Sequence, residues 1–112
     1  MDTPKLLKGH LQTIVLQLLA DHGRMYGYEI TQKVKEQTQG KIILTEGALY
    51  PALHKLQANG LLQTEKVMIG KRQRKYYSLT PAGTNASISK VQEFFDFVQT
   101  MQLIIGGQAK KS

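Results

Sequence analysis

The chain contains no cysteine and no tryptophan. The first absence removes disulfides, thiolate chemistry and cysteine-ligated zinc. Acidic residues are also scarce, with eight set against fifteen lysines and arginines. They are Asp2, Asp21, Glu29, Glu36, Glu46, Glu65, Glu93 and Asp96, too scattered to suggest a working carboxylate pair. The three histidines, His10, His22 and His54, are never spaced i,i+3 or i,i+4, so no metal site is expected. Neither phosphate-binding glycine motif, GxxxxGK[ST] or GxGxxG, occurs. With no nucleophile paired to a base, catalysis has no support, and no cofactor is expected. Long hydrophobic runs are missing as well. The longest apolar pattern, Ile14 to Ala20, falls far below the ~20 residues that span a bilayer. The first ten residues, MDTPKLLKGH, lack the apolar core of a signal peptide, so a cytoplasmic location is expected.

What is present fits one modest globular unit. A length of 112 residues is that of a single domain, and 41% hydrophobic content is near the globular norm. The net charge of +7 favours a polyanionic partner, either nucleic acid or an acidic membrane surface. Placement is more informative than the total. Lys71, Arg72, Arg74 and Lys75 fall within five positions.

Leu7, Leu11, Ile14 and Leu18 step by 4, 3 and 4, which predicts a first helix over about residues 5–21, stopped by Gly23. A second helix opens at Tyr26-Gly27-Tyr28-Glu29-Ile30, with Tyr26, Ile30 and Val34 on one face, and closes at Gly40. Lys41–Leu44 is short and β-prone, which predicts a small strand. Thr45 is a natural N-cap for a third helix carrying Leu49, Leu53 and Leu56 and ending at Asn59-Gly60. Pro51 lacks an N–H, so the first turn of that helix is expected to be irregular or 3₁₀-like. Leu62–Ile69 and Lys75–Thr80 alternate as two strands, with Gly70 permitting the turn and GKRQR at the tip. Thr80-Pro81 reads as an N-cap followed by proline at the first helical position, and the last helix should run to Ile105. The fold class is therefore mainly α with a small β-hairpin: a winged helix-turn-helix followed by one long helix. The expected division is 1–80 for the winged helix, 81–107 for a dimerisation helix and 108–112 for a flexible basic tail.

In a helix-turn-helix the second helix reaches base edges. With its leucines turned inward, the third helix presents Glu46, Gly47, Tyr50, His54 and Lys55. Gly47 allows close approach. Tyr50 can donate to a phosphate or pack half-buried on the second helix. His54 can add a donor or simply be solvated. At the wing, Lys71, Arg72 and Arg74 can reach phosphates or a minor groove, against the alternative of a solubilising turn. Lys75 belongs to the strand start.

Val91, Phe94, Val98, Met101 and Ile105 step 3, 4, 3, 4, a heptad-like seam widened by Ile88, Phe95, Phe97 and Ile104. The first helix can cover part of it, and the rest suits the same helix of a second chain in a twofold dimer. Packing wholly within the monomer is the alternative. The last helix as a membrane anchor is disfavoured, because only Lys90 is basic within residues 81–105.

These residues resemble the PadR family of bacterial transcriptional regulators, specifically its short form with a single C-terminal helix. The resemblance rests on Tyr26-Gly27-Tyr28-Glu29-Ile30, on Gly47 to Leu56 (GALYPALHKL) with Gly60-Leu61-Leu62, and on Arg74 to Thr80 (RKYYSLT) with Gly83. It implies a homodimeric winged-helix repressor that binds double-stranded DNA at a pseudo-palindromic operator. It also implies that Pro51 is accommodated within an LYP pattern, and that Tyr28 and Tyr50 take phosphate or groove contacts. The expected DNA-binding set is then Tyr28, Thr45, Gly47, Tyr50, His54, Lys55, Lys71, Arg72 and Arg74. Family wings often read GGRRKYY, where this chain has GKRQRKYY. Some multidrug-sensing members bind flat aromatic compounds between subunits, using a tryptophan at the position of Phe94. That implies a small aromatic ligand at Phe94, against the plainer role of dimer core. A winged-helix module that binds protein rather than DNA is the rival function.

Overall fold

The computed structural model describes residues 5–106. The expected tail at 108–112 lies outside them. The first helix is not continuous. A four-residue turn, α1 (Lys5–Lys8), gives way at Gly9-His10 to α2 (Leu11–His22). The His10 N–H donates to the Leu7 carbonyl and the Ile14 N–H to the His10 carbonyl, so a tight turn replaces helix there without losing the apolar stripe. The stripe is also wider than the 4-3-4 spacing indicates, since Val15, Leu16 and Leu19 are buried with Leu11 and Leu18.

The second helix begins one residue later than expected because Met25–Tyr26 form a short strand, β1. Helix α3 (Gly27–Gln37) follows, and the Glu29 carboxylate accepts from the Tyr26 N–H at 3.1 Å, one half of a capping box. Its exit runs through Gln39 and Gly40, both in the left-handed region. The strand expected at Lys41–Leu44 does not form. Thr38 Oγ1 instead accepts from the Ile42 N–H at 3.1 Å, and Leu44 drops into the core at 4% exposure. The sheet takes Met25–Tyr26 in place of that segment.

Helix α4 (Glu46–Ala58) has the expected cap, with Thr45 Oγ1 accepting from the Ala48 N–H at 3.2 Å. Pro51 sits inside this helix without ending it. The first turn shows only the mild tightening of a bond from the Ala48 N–H to the Thr45 carbonyl, alongside that from Leu49. The far end is a Schellman motif: the Leu61 N–H reaches the Leu56 carbonyl and the Gly60 N–H the Gln57 carbonyl, with Gly60 at φ 76°.

Strand β2 (Leu62–Ile69) pairs antiparallel with β3 (Arg72–Leu79), and β3 lies between β1 and β2. The return strand therefore starts at Arg72, not Lys75. Ile69 faces Arg72 across a two-residue turn of Gly70 and Lys71, with Gly70 at φ 62°. Glycine at the first turn position suits the hairpin turns that follow the sheet's twist. Helix α5 (Pro81–Ile105) is as expected, capped by Thr80, whose Oγ1 accepts from the Gly83 N–H at 3.0 Å. The same hydroxyl donates to the Gly60 carbonyl at 2.7 Å, and the Thr80 N–H to the Leu61 carbonyl. One threonine thus ties the end of α4 and the start of β2 to the start of α5.

One core joins these elements. It takes Leu11 to Leu19 from α2, Ile30 and Val34 from α3, Leu49, Leu53 and Leu56 from α4, and Met25, Leu62 and Tyr77 from the sheet. Burial of large aliphatic and aromatic side chains is the main stabilising term, about 1.5–3 kcal/mol for each one removed from water.

Candidate nucleic-acid interface

Helix α4 is held from behind. Leu49, Leu53 and Leu56 are all fully buried, so the opposite face is fixed in direction. That face exposes Glu46, Gly47, Pro51, His54 and Lys55. A Cβ placed on Gly47 would meet nothing within 4 Å, so the backbone there is open to close approach. Thr45 is half-buried and occupied in capping.

Tyr50 does not point straight outward. Its ring lies against Gly27, at the start of α3, and leaves that glycine no room for a side chain. Its hydroxyl donates to Glu46 Oε1 at 3.3 Å, at the exposed edge. Packing on the second helix is the reading the structure realises, with the oxygen still at the surface. Burial, and then the neighbouring Glu46 carboxylate, hold the phenol above its ordinary pKa, so it is a donor at neutral pH. His54 is exposed, with its ring centroid 6.4 Å from that of Tyr50. Tyr28, on the first turn of α3, is 54% exposed.

Lys55 lines a groove of about 400 Å³ with Gly47, Pro51 and Lys8. Lys8 is absent from the expected set. Nothing in its local pattern joins it to α4. The packing of Leu11 and Gln12 of α2 beside α4 brings the preceding α1 turn, with Lys8, to the groove, and such packing leaves no trace in short-range spacing.

The wing carries five cations, Lys66, Lys71, Arg72, Arg74 and Lys75, and one carboxylate, Glu65. Glu65 is already matched, with Arg24 Nη1 2.6 Å from its Oε1. Lys71 occupies the turn, and Arg72 is exposed at the strand start. Arg74 differs. It lies within β3, half-buried, with its guanidinium carbon 4.0 Å from the centroid of the Tyr26 ring. Tyr26 meets Tyr76 edge to face at 5.4 Å, and Arg24 caps the Tyr76 ring at 4.5 Å. The sequence pattern places these basic residues together at a tip, whereas the longer β3 puts Arg74 into a packed ladder.

On α5, Val91, Phe94, Val98 and Met101 are half-buried and Ile105 is exposed. Beside this seam, Ile88, Phe95, Leu103 and Ile104 remain more than half exposed. Phe94 meets the His10 ring edge to face at 5.0 Å. It also lines an apolar cavity of about 400 Å³ with Leu7, Ile14 and Ile42. Among the described residues no group of three or more histidines, cysteines or carboxylates could hold a metal ion, and no helix is long and apolar enough to cross a membrane.

Known proteins share this arrangement. The profile of the transcriptional regulator PadR-like family matches residues 15–87. Transcriptional regulator Rv3488 of Mycobacterium tuberculosis is 30% identical over 95 residues, spanning 85% of this chain and 82% of its own. The structure of a transcriptional regulator from Clostridium thermocellum superposes with a TM-score of 0.82 at 27% identity, covering 94% of this chain and 99% of that one. Bacillus subtilis PadR, solved in complex with operator DNA, matches with a TM-score of 0.65 at 28% identity, over 72% of this chain and 46% of that one.

Proposed function

The chain belongs to the PadR-like family of transcriptional regulators, and from that premise we propose that it is a homodimeric, sequence-specific repressor of the winged-helix type. The observation that carries the reading is the pairing of two surfaces. The open face of α4, with Gly47, His54 and Lys55, is anchored by three buried leucines. Beside it stands a hairpin with Lys71 and Arg72 exposed at its tip and its single carboxylate, Glu65, already paired. Helix α4 enters the major groove. Tyr28, Thr45, Tyr50, His54 and Lys55 set register and contacts, and Lys71 and Arg72 hold phosphates or the minor groove. Two such heads related by a twofold axis read half-sites about 34–36 Å apart.

The dimer forms through α5, using the seam from Val91 to Ile105 with Phe95. Support comes from the apolar side chains this helix leaves exposed, since single-chain soluble proteins seldom leave so contiguous a stripe uncovered. Residues 81–107 thus act as the dimerisation segment and 1–80 as the reading head. A small aromatic effector stacks on Phe94 in the adjoining cavity and releases DNA by altering the spacing of the heads. The work of such a protein places it in the cytoplasm, with the DNA.

Fluorescence anisotropy tests this function. The purified protein is titrated with its own upstream intergenic DNA and with scrambled DNA of equal length, each at two salt concentrations. Tighter binding to the native fragment that persists at the higher salt is the expected result. Equal binding that vanishes with salt would leave only charge attraction and redirect the function to a protein partner.

A further inference from the structure

We propose that Arg74 is a positioning residue that clamps the wing to the first turn of α3 through Tyr26, and so sets the angle between the wing and α4. The inference rests on the DNA-binding reading above, and assigns Arg74 a role other than phosphate contact.

Strand register supplies the geometry. Tyr26 of β1 pairs with Tyr76 of β3, and Arg74 lies two residues before Tyr76 on the same face. Its side chain can therefore reach diagonally across Tyr26, and its guanidinium stacks there at 4.0 Å. The contact extends into an alternating series. Arg24 caps Tyr76, Tyr76 meets Tyr26, and Tyr26 carries Arg74, while Arg24 also grips Glu65 on β2. All three strands are thus joined on one face, β1 to β3 by cation–ring and ring–ring contacts and β2 through the Arg24–Glu65 ion pair.

The sheet needs such a device. Strand β1 is only two residues long, so its ladder contributes few hydrogen bonds. Yet β1 is one of the places where the wing meets the helices. The Tyr26 N–H is held by Glu29 of α3, and the next residue, Gly27, receives the Tyr50 ring of α4. Two adjacent residues therefore take the wing on one side and α4 on the other. A guanidinium is suited to this position, because its plane stacks on a ring while its charge persists, and a lysine ammonium cannot reproduce that stacking.

The test separates positioning from phosphate binding. Anisotropy titrations over a salt series compare Arg74→Lys, Arg74→Ala, Tyr26→Leu and Tyr26→Phe, with circular dichroism confirming that each is folded. Arg74→Lys keeps the charge but is expected to lose roughly two- to tenfold in affinity for the native DNA, the size of one partly desolvated cation–π contact. Arg74→Ala and Tyr26→Leu should match that loss, fall short of additivity when combined, and leave the slope of affinity against salt unchanged. Tyr26→Phe keeps the ring and should bind as wild type. The ratio of native to scrambled affinity should fall, whereas simple destabilisation lowers both alike. Arg74→Lys behaving as wild type, with Arg74→Ala flattening the salt slope by about one unit, would make Arg74 a phosphate contact and overturn the proposal. A wild-type protein that prefers no DNA would instead overturn the reading beneath it, and the positioning role with it.

Discussion

The phenol of Tyr50 fills the space in which a side chain on Gly27 would stand, with its Cζ 2.8 Å from the position of an ideal Cβ there. Helix α4 is thus fitted against the start of α3 by the absence of one methyl group. Gly27→Ala forces the ring aside. The displaced atoms are the far end of a side chain, and alanine gains up to about 1 kcal/mol over glycine in a helix, so the two effects offset. Stability measured by urea unfolding is expected to change by less than about 1 kcal/mol. Affinity for the native DNA should fall markedly, because Tyr50 and the α4 face beside it have moved. Tyr50→Phe removes the oxygen nearest the new methyl and should restore part of that loss in Gly27→Ala. Unchanged DNA affinity in Gly27→Ala would show that this contact does not set the α4 face.

Gly83 presents the same chemistry with the opposite consequence. A Cβ there would run into the Leu61 carbonyl group, whose carbon lies 3.0 Å from the ideal position, and into a Leu79 methyl at 3.3 Å. Backbone cannot swing away, and this piece is fixed by the bond from the Thr80 N–H to the Leu61 carbonyl. Gly83→Ala should therefore destabilise by about 1–3 kcal/mol or more, despite alanine's better helix propensity. Thermal unfolding of Gly83→Ala beside Asn85→Ala, an exposed site on the same helix, checks this. Equal midpoints would remove the steric account.

The sequence showed some of this directly and hid the rest for physical reasons. Helix α5 and strand β2 were legible to the residue, because Thr80-Pro81 and the Asn59-Gly60-Leu61 exit are local stop and start signals. The cap at Thr45 was legible for the same reason. Lys41–Leu44 has the pattern of a strand and forms none, because its β-branched residues serve a loop that plugs Leu44 into the core. Strand β1 leaves no sequence signal, because two residues are too few to show alternation and only the register against Tyr76 and Tyr77 creates it. The candidate site divides likewise. His54 and Lys55 follow from helical spacing alone. The Tyr50–Gly27 fit, the entry of Lys8 into the α4 groove and the seat of Arg74 on Tyr26 are contacts between elements distant in sequence.

Helix α5 yields a test of assembly. Phe95 is 57% exposed and Ile104 75%, so neither contributes much to the core of a single chain. Replacing both by glutamate places two charges in the proposed dimer seam at little cost to the monomer fold. Wild type is expected to sediment at twice the chain mass of 12.6 kDa, and Phe95→Glu/Ile104→Glu at the single mass with an unchanged helical spectrum. DNA affinity should fall with it, since one head loses the other's contribution. A double variant that still sediments as a dimer would place the interface elsewhere.

Alkaline pH tests the two packed phenols. Burial raises Tyr77 above the ordinary 10.0, and burial followed by Glu46 raises Tyr50. Below pH 10 the folded and unfolded chains both keep these protons, and the stabilisation is fully present. As pH climbs past 10 the unfolded chain releases its protons first. It then binds fewer protons than the folded state, so stability falls with rising pH until the folded phenols ionise as well. Urea midpoints at pH 8, 10 and 11 should decline more steeply for wild type than for Tyr77→Phe, which has no phenolic proton to lose. Glu46→Gln should soften the decline by a smaller amount, because it removes a carboxylate that disfavours the Tyr50 phenolate and leaves burial in place. Parallel declines in all three proteins would show that these tyrosines do not cause the alkaline loss.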